Sequence, residues 1–405
     1  MKKILVLAGG VDQIGLLQDL KVRGYYTILV DYYPNPVAKP YADKHIQAST
    51  LDLDTVLTIA KEENVENIIT ACTDQALLTV AYVADKLGFH KQFTFEQARS
   101  ITNKLYMKEV MLKNDIPTAK YVNIRSLDEG IDSLSYPLMV KPADSNSSNG
   151  VRKVCSMEEL KPAFEYAVKA SRTNTAIVEE FKNGMEVSVD AFVENGNVHL
   201  LMCSEIRKLQ HDKSLSVIYQ SIIPAPLSDN QTSSIELIVK KIVTAFSLDN
   251  TPILVQMLVD NDEINVIEFS ARIGGGLKYV NIKEKTGFDV LHENVSAILG
   301  EPVKYYRNDN LSCISRTHIY VRPGVFSEIK NFEQLIADGT IIEGKTTKGS
   351  GSVIDGISAS GDRVGNFLVK AATQEELFEK ITKAINTIQV LDDKGNDMLY
   401  RELYR

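Results

Sequence analysis

The chain has 405 residues, 44% hydrophobic and 24% charged, with a formal net charge of -8, which leaves room for roughly two to four compact domains. The negative balance argues against nonspecific nucleic-acid binding, which needs a positive field, and no window approaches the length of a membrane-spanning helix. Cys72, Cys155, Cys203 and Cys313 are scattered without a CxxC pair and the six histidines form no HExxH or HxxxH pattern, so neither a zinc site nor a disulfide framework is expected.

The opening MKKILVLAGG sets two lysines before an apolar run, as a secretory leader does. The run covers only Ile4 to Ala8 before Asp12, so it reads as a first β-strand. A cytoplasmic protein with no membrane or nucleic-acid partner is expected. Residues 1–100 then alternate strand and helix: KKILVLA, QIGLLQDLKVRG, YYTILVD ending at Asp31, VENIITACT and QALLTVAYVADKLG. That is the signature of βαβ units on a parallel sheet, an α/β region.

Residues 101–310 have a different texture. ITNKLYMKEVMLKNDI reads as one helix closed by Pro117. YPLMVKPADSNSSNGVRKV reads as strand, polar loop and strand, and MEELKPAFEYAVKAS as a helix. TAIVEEF, MEVSVDAFVENGNVHLLMCSEI and PILVQMLVDNDEINVIEF read as strands turning at Asn195-Gly196 and Asn261-Asp262, a mostly antiparallel α+β region. Residues 311–405 give short strands and then the helix TQEELFEKITKAINTI.

Three stretches compete as phosphate loops. AGGVDQIG, with Asp31 ending the second strand, suggests a dinucleotide fold, but the G-x-G-x-x-G spacing is absent and a tight strand-to-helix turn fits better. GTIIEGKT, Gly339 to Thr346, matches the P-loop pattern formally. Its Ile-Ile-Glu interior is strand-like and acidic, and no helix follows, so it is rejected. KPADSNSSNGVRKV, Lys141 to Val154, delivers a lysine on a strand and then a loop of small polar residues ending at Gly150. Free N–H groups and hydroxyls there suit phosphate, and Lys141 adds charge.

The acids decide between them. Gln256 and Glu268 lie on two strands joined by the turn DNDE, and antiparallel pairing brings them to one face. An amide and a carboxylate oxygen, completed by phosphate oxygens, suit Mg²⁺. Arg272 follows one short turn later, where it can stabilise developing anionic charge. Gly274, Gly275 and Gly276 leave bare backbone beside it.

In this order the residues resemble the ATP-grasp superfamily, over almost the whole chain. The resemblance implies an ATP-grasp fold with a preceding βαβ domain at 1–100, an ATP-grasp domain at 101–310 with a lid subdomain at about 115–180, and a C-terminal α+β cap at 311–405. It implies that Lys104 and Lys141 bind nucleotide, with the loop carrying Ser145, Ser147, Ser148 and Gly150 over the phosphates. Glu179, Glu180 and Phe181 match the hinge that binds adenine through backbone groups, and Glu186 the acid on the ribose. Gln256 and Glu268 match the metal positions, with Mg²⁺ or Mn²⁺ as the ion, and Arg272 the catalytic arginine, with Lys141 assisting.

Departures narrow the chemistry. The family often has Asn two residues after the metal glutamate, where this chain has Ser270. Biotin carboxylases carry a glutamate base shortly after the arginine, where this chain has the glycine run, so carboxylation is disfavoured. ARIGGG resembles instead the carboxylate–amine ligases of amino acids and related small acids. Arg272, Gly274, Gly275 and Gly276 are expected to meet the acid, their bare N–H groups taking its carboxylate, with Arg363 in SGDRVG a further substrate contact. The polar segment Ser204 to Gln220 is expected near the substrate.

The expected activity is ATP-dependent ligation of a small carboxylic acid, an amino acid among them, to an amine through an acyl phosphate, in what the resemblance implies is a homodimer. Three other readings stay open: another ATP-grasp reaction such as carboxylation or carbamoyl or formyl activation, a nucleotide-binding regulatory protein without turnover, and an NAD-dependent oxidoreductase resting on AGGVDQIG alone.

Overall fold

The computed structural model describes residues 2–143, 150–171, 173–209 and 217–404. The N-terminal region alternates as expected: β1 (Lys3–Leu7), α1 (Asp12–Val22), β2 (Tyr26–Asp31), β3 (Lys44–Gln47), α2 (Leu53–Glu62), β4 (Asn67–Ile69) and α3 (Asp74–Leu87). Its four strands are parallel, in the order β3-β2-β1-β4. Successive side chains of a strand point to opposite faces, so β1 feeds two cores. Ile4 and Val6 pack with Leu16, Leu17 and Leu20 of α1, while Leu5 and Leu7 pack with Val56 of α2 and Val83 of α3. Burial on both faces explains why the strand is a continuous apolar run.

The single helix expected over ITNKLYMKEVMLKNDI is two, α4 (Phe95–Thr102) and α5 (Lys104–Lys113). Asn103 breaks it by accepting from the N–H groups of Leu105 and Tyr106, the side-chain competition that makes Asn a helix starter. The break leaves Lys104 as the first residue of α5.

Next come β5 (Tyr121–Ile124), β6 (Leu138–Pro142), β7 (Arg152–Val154), α6 (Met157–Ala170) and β8 (Ala176–Glu180). These strands form an antiparallel sheet ordered β5-β8-β6-β7. Leu138, Val140 and Val178 bury against Leu160 and Phe164 of α6.

The chain continues through β9 (Met185–Glu194), β10 (Asn197–Leu209), β11 (Val217–Ile223), α7 (Asp229–Ala245), β12 (Thr251–Asp260), β13 (Glu263–Ser270), α8 (Lys278–Thr286) and α9 (Val290–Leu299). It ends with β14 (Cys313–Ile319), β15 (Gly324–Lys330), α10 (Phe332–Ala337), β16 (Glu343–Thr346), β17 (Ser352–Ile354), β18 (Gly365–Ala371), α11 (Gln374–Thr387) and β19 (Gln389–Asp392). An eight-stranded sheet runs β13-β12-β9-β10-β11-β14-β18-β16, beside a small sheet β17-β15-β19. The large sheet crosses residue 310 without a seam, because β11 pairs with β14. GTIIEGKT ends in β16, paired with β18; no helix follows it, as its rejection required.

The large sheet has two unlike faces. Val187, Val189, Val255 and Met257 point to α7 and pack with Ile235, Val239 and Ile242, each such side chain contributing about 1.5–3 kcal/mol by leaving water. The alternate residues Ser188, Asp190 and Gln256 point the other way. MEVSVDAF spells this alternation out, and the polar face is where the cavity lies. Among the described residues no helix is long and apolar enough to cross a membrane.

Candidate active site

The polar face of the sheet floors a cavity of about 500 Å³. Strand register sets its contents. Glu268 on β13 sits opposite Gln256 on β12, Gln256 opposite Ser188 on β9, and Ser188 opposite Ser204 on β10. A bulge between Gln256 and Met257 kinks the hairpin beside Glu268, a common device for aiming a side chain at a site. Further across the sheet Ser221 lies opposite Arg316 on β14, with His318 two residues on. The N-terminal region supplies Asp12, Cys72 and Asp74, and the glycine run supplies the wall between.

This one cavity collects Lys104, Gln256, Glu268, Ser270, Arg272, Gly274, Gly275, Gly276 and Arg363, nine of the residues singled out from sequence. Lys141 and Glu179 stand behind it, close enough to act electrostatically on Glu268 and Lys104. Gly150, Glu180, Phe181 and Glu186 are not in its lining. Ser145, Ser147 and Ser148 lie outside the described residues, as do 210–216 of the polar segment.

The cations at one end are already paired. Lys104 Nζ donates to Glu268 Oε2 at 2.6 Å. Lys104 holds Glu268 below the usual carboxylate range against the cost of burial. Burial disfavours the Lys104 ammonium, but Glu268, Asp74 and Glu179 outweigh it and hold its pKa above the ordinary lysine value. Glu179 takes Lys141 at 2.6 Å and Lys108 at 2.8 Å. Burial opposes its ionisation, yet the two ammonium groups pull its pKa down to about 2. Lys108 was missed from sequence, although its place one helical turn after Lys104 was a signal.

The residues matched to the hinge are partly engaged within the chain. The Glu179 side chain is an anchor for two lysines. The N–H groups of Glu180 and Phe181 are engaged by the carbonyls of Lys120 at 2.9 Å and Pro137 at 2.8 Å, so neither is open to a base. Glu180 itself accepts from the Ser135 N–H at 3.1 Å, and Lys153 lies 3.5 Å over the Phe181 ring. Glu186, expected on a ribose, is paired with Lys208.

Arg272 projects from the turn after β13. Its Nε donates to Asp74 Oδ1 at 2.6 Å, its NH2 to Asp74 Oδ2, and its NH1 to the Ile273 carbonyl at 2.7 Å. The Ser270 hydroxyl also donates to Asp74. Burial opposes ionisation of Asp74, but Arg272 and Ser270 hold its pKa below the ordinary value.

The glycine run is also occupied from within. The N–H groups of Gly276 and Leu277 donate to Asp12 at 3.3 and 2.6 Å. That corrects the expectation that Gly276 offers its N–H to a substrate: the turn binds a carboxylate, but one of this chain. Gly274 is glycine because a Cβ there would lie 2.5 Å from the Lys278 stem. Lys278 in turn donates to Asp190 at 2.6 Å and to Ser188. Gly276 has φ +76°, and a Cβ on it would meet His318 at 3.2 Å and Arg363 at 3.7 Å.

The far end is cationic. Arg316 is 1% exposed and held by Asn281 at 2.9 Å, Asn366 at 2.5 Å and Glu343 at 3.1 Å; Glu343 is the acid that spoiled GTIIEGKT as a P-loop. Burial, with Arg363 and Arg316 near, holds His318 well below its ordinary pKa and so neutral at pH 7. Its Nδ1 has no hydrogen-bond partner among the described residues, and its Nε2 lies 3.5 Å from Arg363 NH1. Lys104, Arg272, Lys278, Arg316 and Arg363 line the cavity together with Asp12, Asp74 and Glu268. Asp190 and Glu343 pair with Lys278 and Arg316, so of the five cations Arg363 is the one with no ion-pair partner among the described residues.

Gln256, Glu268 and Ser270 offer amide, carboxylate and hydroxyl oxygens, a hard donor set that fits Mg²⁺. The described residues hold no cluster of three or more His, Cys, Asp or Glu that would make a full metal cage.

An ATP-grasp domain is matched over residues 134–280 and an L-amino acid ligase C-terminal domain 2 over residues 317–391. The multifunctional protein ura1 of Schizosaccharomyces pombe is 25% identical over 353 residues, covering 80% of this chain and 15% of that protein. The chain thus spans under a fifth of the length of the multifunctional relatives it matches. A formate-dependent phosphoribosylglycinamide formyltransferase of Methanocaldococcus jannaschii is 28% identical, covering 74% of this chain and 77% of that one. Among solved structures, an L-amino acid ligase from Bacillus licheniformis superposes with a TM-score of 0.83 at 19% identity, covering 97% of this chain and 99% of that one; at that identity the likeness is one of fold. The chain thus carries an ATP-grasp domain, followed by a stretch like an L-amino acid ligase C-terminal domain, in a fold shared with a solved L-amino acid ligase.

Proposed function

We propose that this chain is an ATP-dependent carboxylate–amine ligase, joining a small acid, with free amino acids the first candidates, to an amine through an acyl phosphate. The observation that carries the reading is one cavity with two ends. Gln256, Glu268 and Arg272 form one end, and His318 and Arg363, from the stretch like an L-amino acid ligase C-terminal domain, form the other.

Each residue then has a task. Lys104 and Lys141 neutralise phosphate charge, and Gln256, Glu268 and Ser270 hold Mg²⁺. When bound, that ion neutralises charge on the phosphates of ATP. An acid carboxylate oxygen attacks the terminal phosphorus, the bond to ADP breaks, and an acyl phosphate forms. Arg272 lies where it meets the negative oxygens of this step and of the tetrahedral species formed when the amine attacks. Phosphate then leaves with the bonding pair. Most of the acceleration is positioning and charge neutralisation. Arg363 holds the carboxylate of the substrate that does not react. We keep residues 1–100, 101–310 and 311–405 as a working division of the sequence, the last two sharing the large sheet through the β11–β14 pairing.

A second reading, carboxyl or formyl transfer, draws on the formyltransferase relative. Against carboxylation, the glycine run has no acid to position bicarbonate. The two are separated by incubating the protein with ATP, Mg²⁺, hydroxylamine and amino acids singly. The ligase reading predicts acid-dependent ADP and a hydroxamate, without bicarbonate. Bicarbonate-dependent ATP cleavage with no hydroxamate from any acid overturns it.

A further inference from the structure

Arg272 offers five N–H donors in a rigid fork. One on Nε, one on NH2 and one on NH1 are engaged, the first two by Asp74 and the last by the Ile273 carbonyl. Each terminal nitrogen therefore keeps one N–H for the cavity. A long side chain on a glycine-rich turn has many rotamers, and reactive geometry is lost with shifts on the order of 1 Å. Something must choose one orientation.

Asp74 is that choice. It is the first residue of α3, where an acid is favourable for the helix alone. Its side-chain donors are nevertheless Ser270 and Arg272, none of them in its own helix. Two carboxylate oxygens meet the side of one guanidinium, a geometry that fixes its plane as well as its position. The contact joins residues 198 apart in sequence and ties the N-terminal sheet to the end of β13.

We infer that Asp74 is a positioning residue for the reaction, holding the Arg272 guanidinium so that its two remaining N–H groups face the transferring group. The inference rests on the proposed function for its kinetic form, but its structural form does not. If Asp74 orients Arg272, replacing it acts only through Arg272.

The test is Asp74→Asn, which keeps size but turns an N–H toward the guanidinium. Expected is a drop in the ATP-consuming rate of about 10–10²-fold, the scale of a misplaced catalytic group, with KM for ATP within about twofold. Asp74→Glu should recover part of the rate. In an Arg272→Lys background, Asp74→Asn should add nothing further, as for groups acting as a unit. Independently of turnover, the Arg272 Nε–H resonance, slowly exchanging in the wild type, should become fast-exchanging in Asp74→Asn. Equal losses in both backgrounds, an unchanged Nε–H signal, or an unchanged rate with a raised KM for the amine would each overturn the inference; the last would make Asp74 a substrate contact. If Asp74→Asn does not fold, the Asp74→Glu resonance and rate decide. Absence of a hydroxamate from the wild type would count against the ligase reading alone.

Discussion

The two ends of the cavity are built on opposite principles. At the end that carries Gln256, Glu268 and Arg272 the cations are paired in advance: Lys104 with Glu268, Arg272 with Asp74, Lys141 and Lys108 with Glu179. At the far end Arg316 is likewise paired, with Glu343, but Arg363 meets a neutral imidazole at 3.5 Å and has no ion-pair partner among the described residues. A charge buried without a partner is costly, so the paired end is stable while empty and must exchange partners when a polyanion enters. The far end can take an anion directly. The first arrangement suits a step with charge moving through it, the second simple recognition.

The sharpest break in that contrast is Arg272→Ala. It should lower the rate of ADP formation by about 10²–10³-fold, as for other preorganised oxyanion donors, while nucleotide affinity measured by calorimetry stays near wild type. A loss of affinity without a loss of rate would make Arg272 a binding residue like Arg363. Next is Glu268→Gln, expected to cost on the order of 10²-fold and to raise the Mg²⁺ concentration needed for half-maximal rate. Wild-type turnover at limiting Mg²⁺ would remove Glu268 from the metal set.

At the far end the effect should be smaller and of another kind. Arg363→Ala should raise KM for one organic substrate about tenfold, the loss of roughly 1.4 kcal/mol of binding, with the maximal rate kept. Equal falls in rate for Arg272→Ala and Arg363→Ala would erase the distinction between the ends.

The smallest effect is on stability, and it comes from Glu179. Its folded pKa is about 2 against an ordinary 4.5. In acid the unfolded chain takes up this proton first, so the stabilisation is complete above 4.5 and is lost as pH falls toward 2. Urea midpoints should therefore fall more steeply below pH 4.5 in the wild type than in Glu179→Gln. The variant should start lower, with Lys108 and Lys141 left without that carboxylate. Parallel slopes would mean that Glu179 is not held ionised between the lysines.

How much of this was legible varied with distance along the chain. Gln256, Glu268 and Arg272 were readable because one hairpin turn sets the register and four residues set the arginine. Asp74 and Asp12 were not, since they reach Arg272 and Leu277 across 198 and 265 residues, and no spacing says which loop meets which. The seamless sheet across residue 310 was hidden for the same reason: β11 and β14 are partners separated by three helices. α7 was missed despite its Ser228–Gln231 capping box and apolar spacing. The hinge was placed by resemblance, which did not reveal that its N–H groups hold strands together.

The central claim is that an oxygen of the acid ends on phosphate. It is tested most directly with amino acids labelled with ¹⁸O in the carboxylate, turned over with ATP, Mg²⁺ and amine, and analysis of the released phosphate by mass spectrometry. An acyl phosphate predicts one ¹⁸O in each phosphate released. Phosphate free of label, formed at the rate of ATP cleavage, would contradict the account.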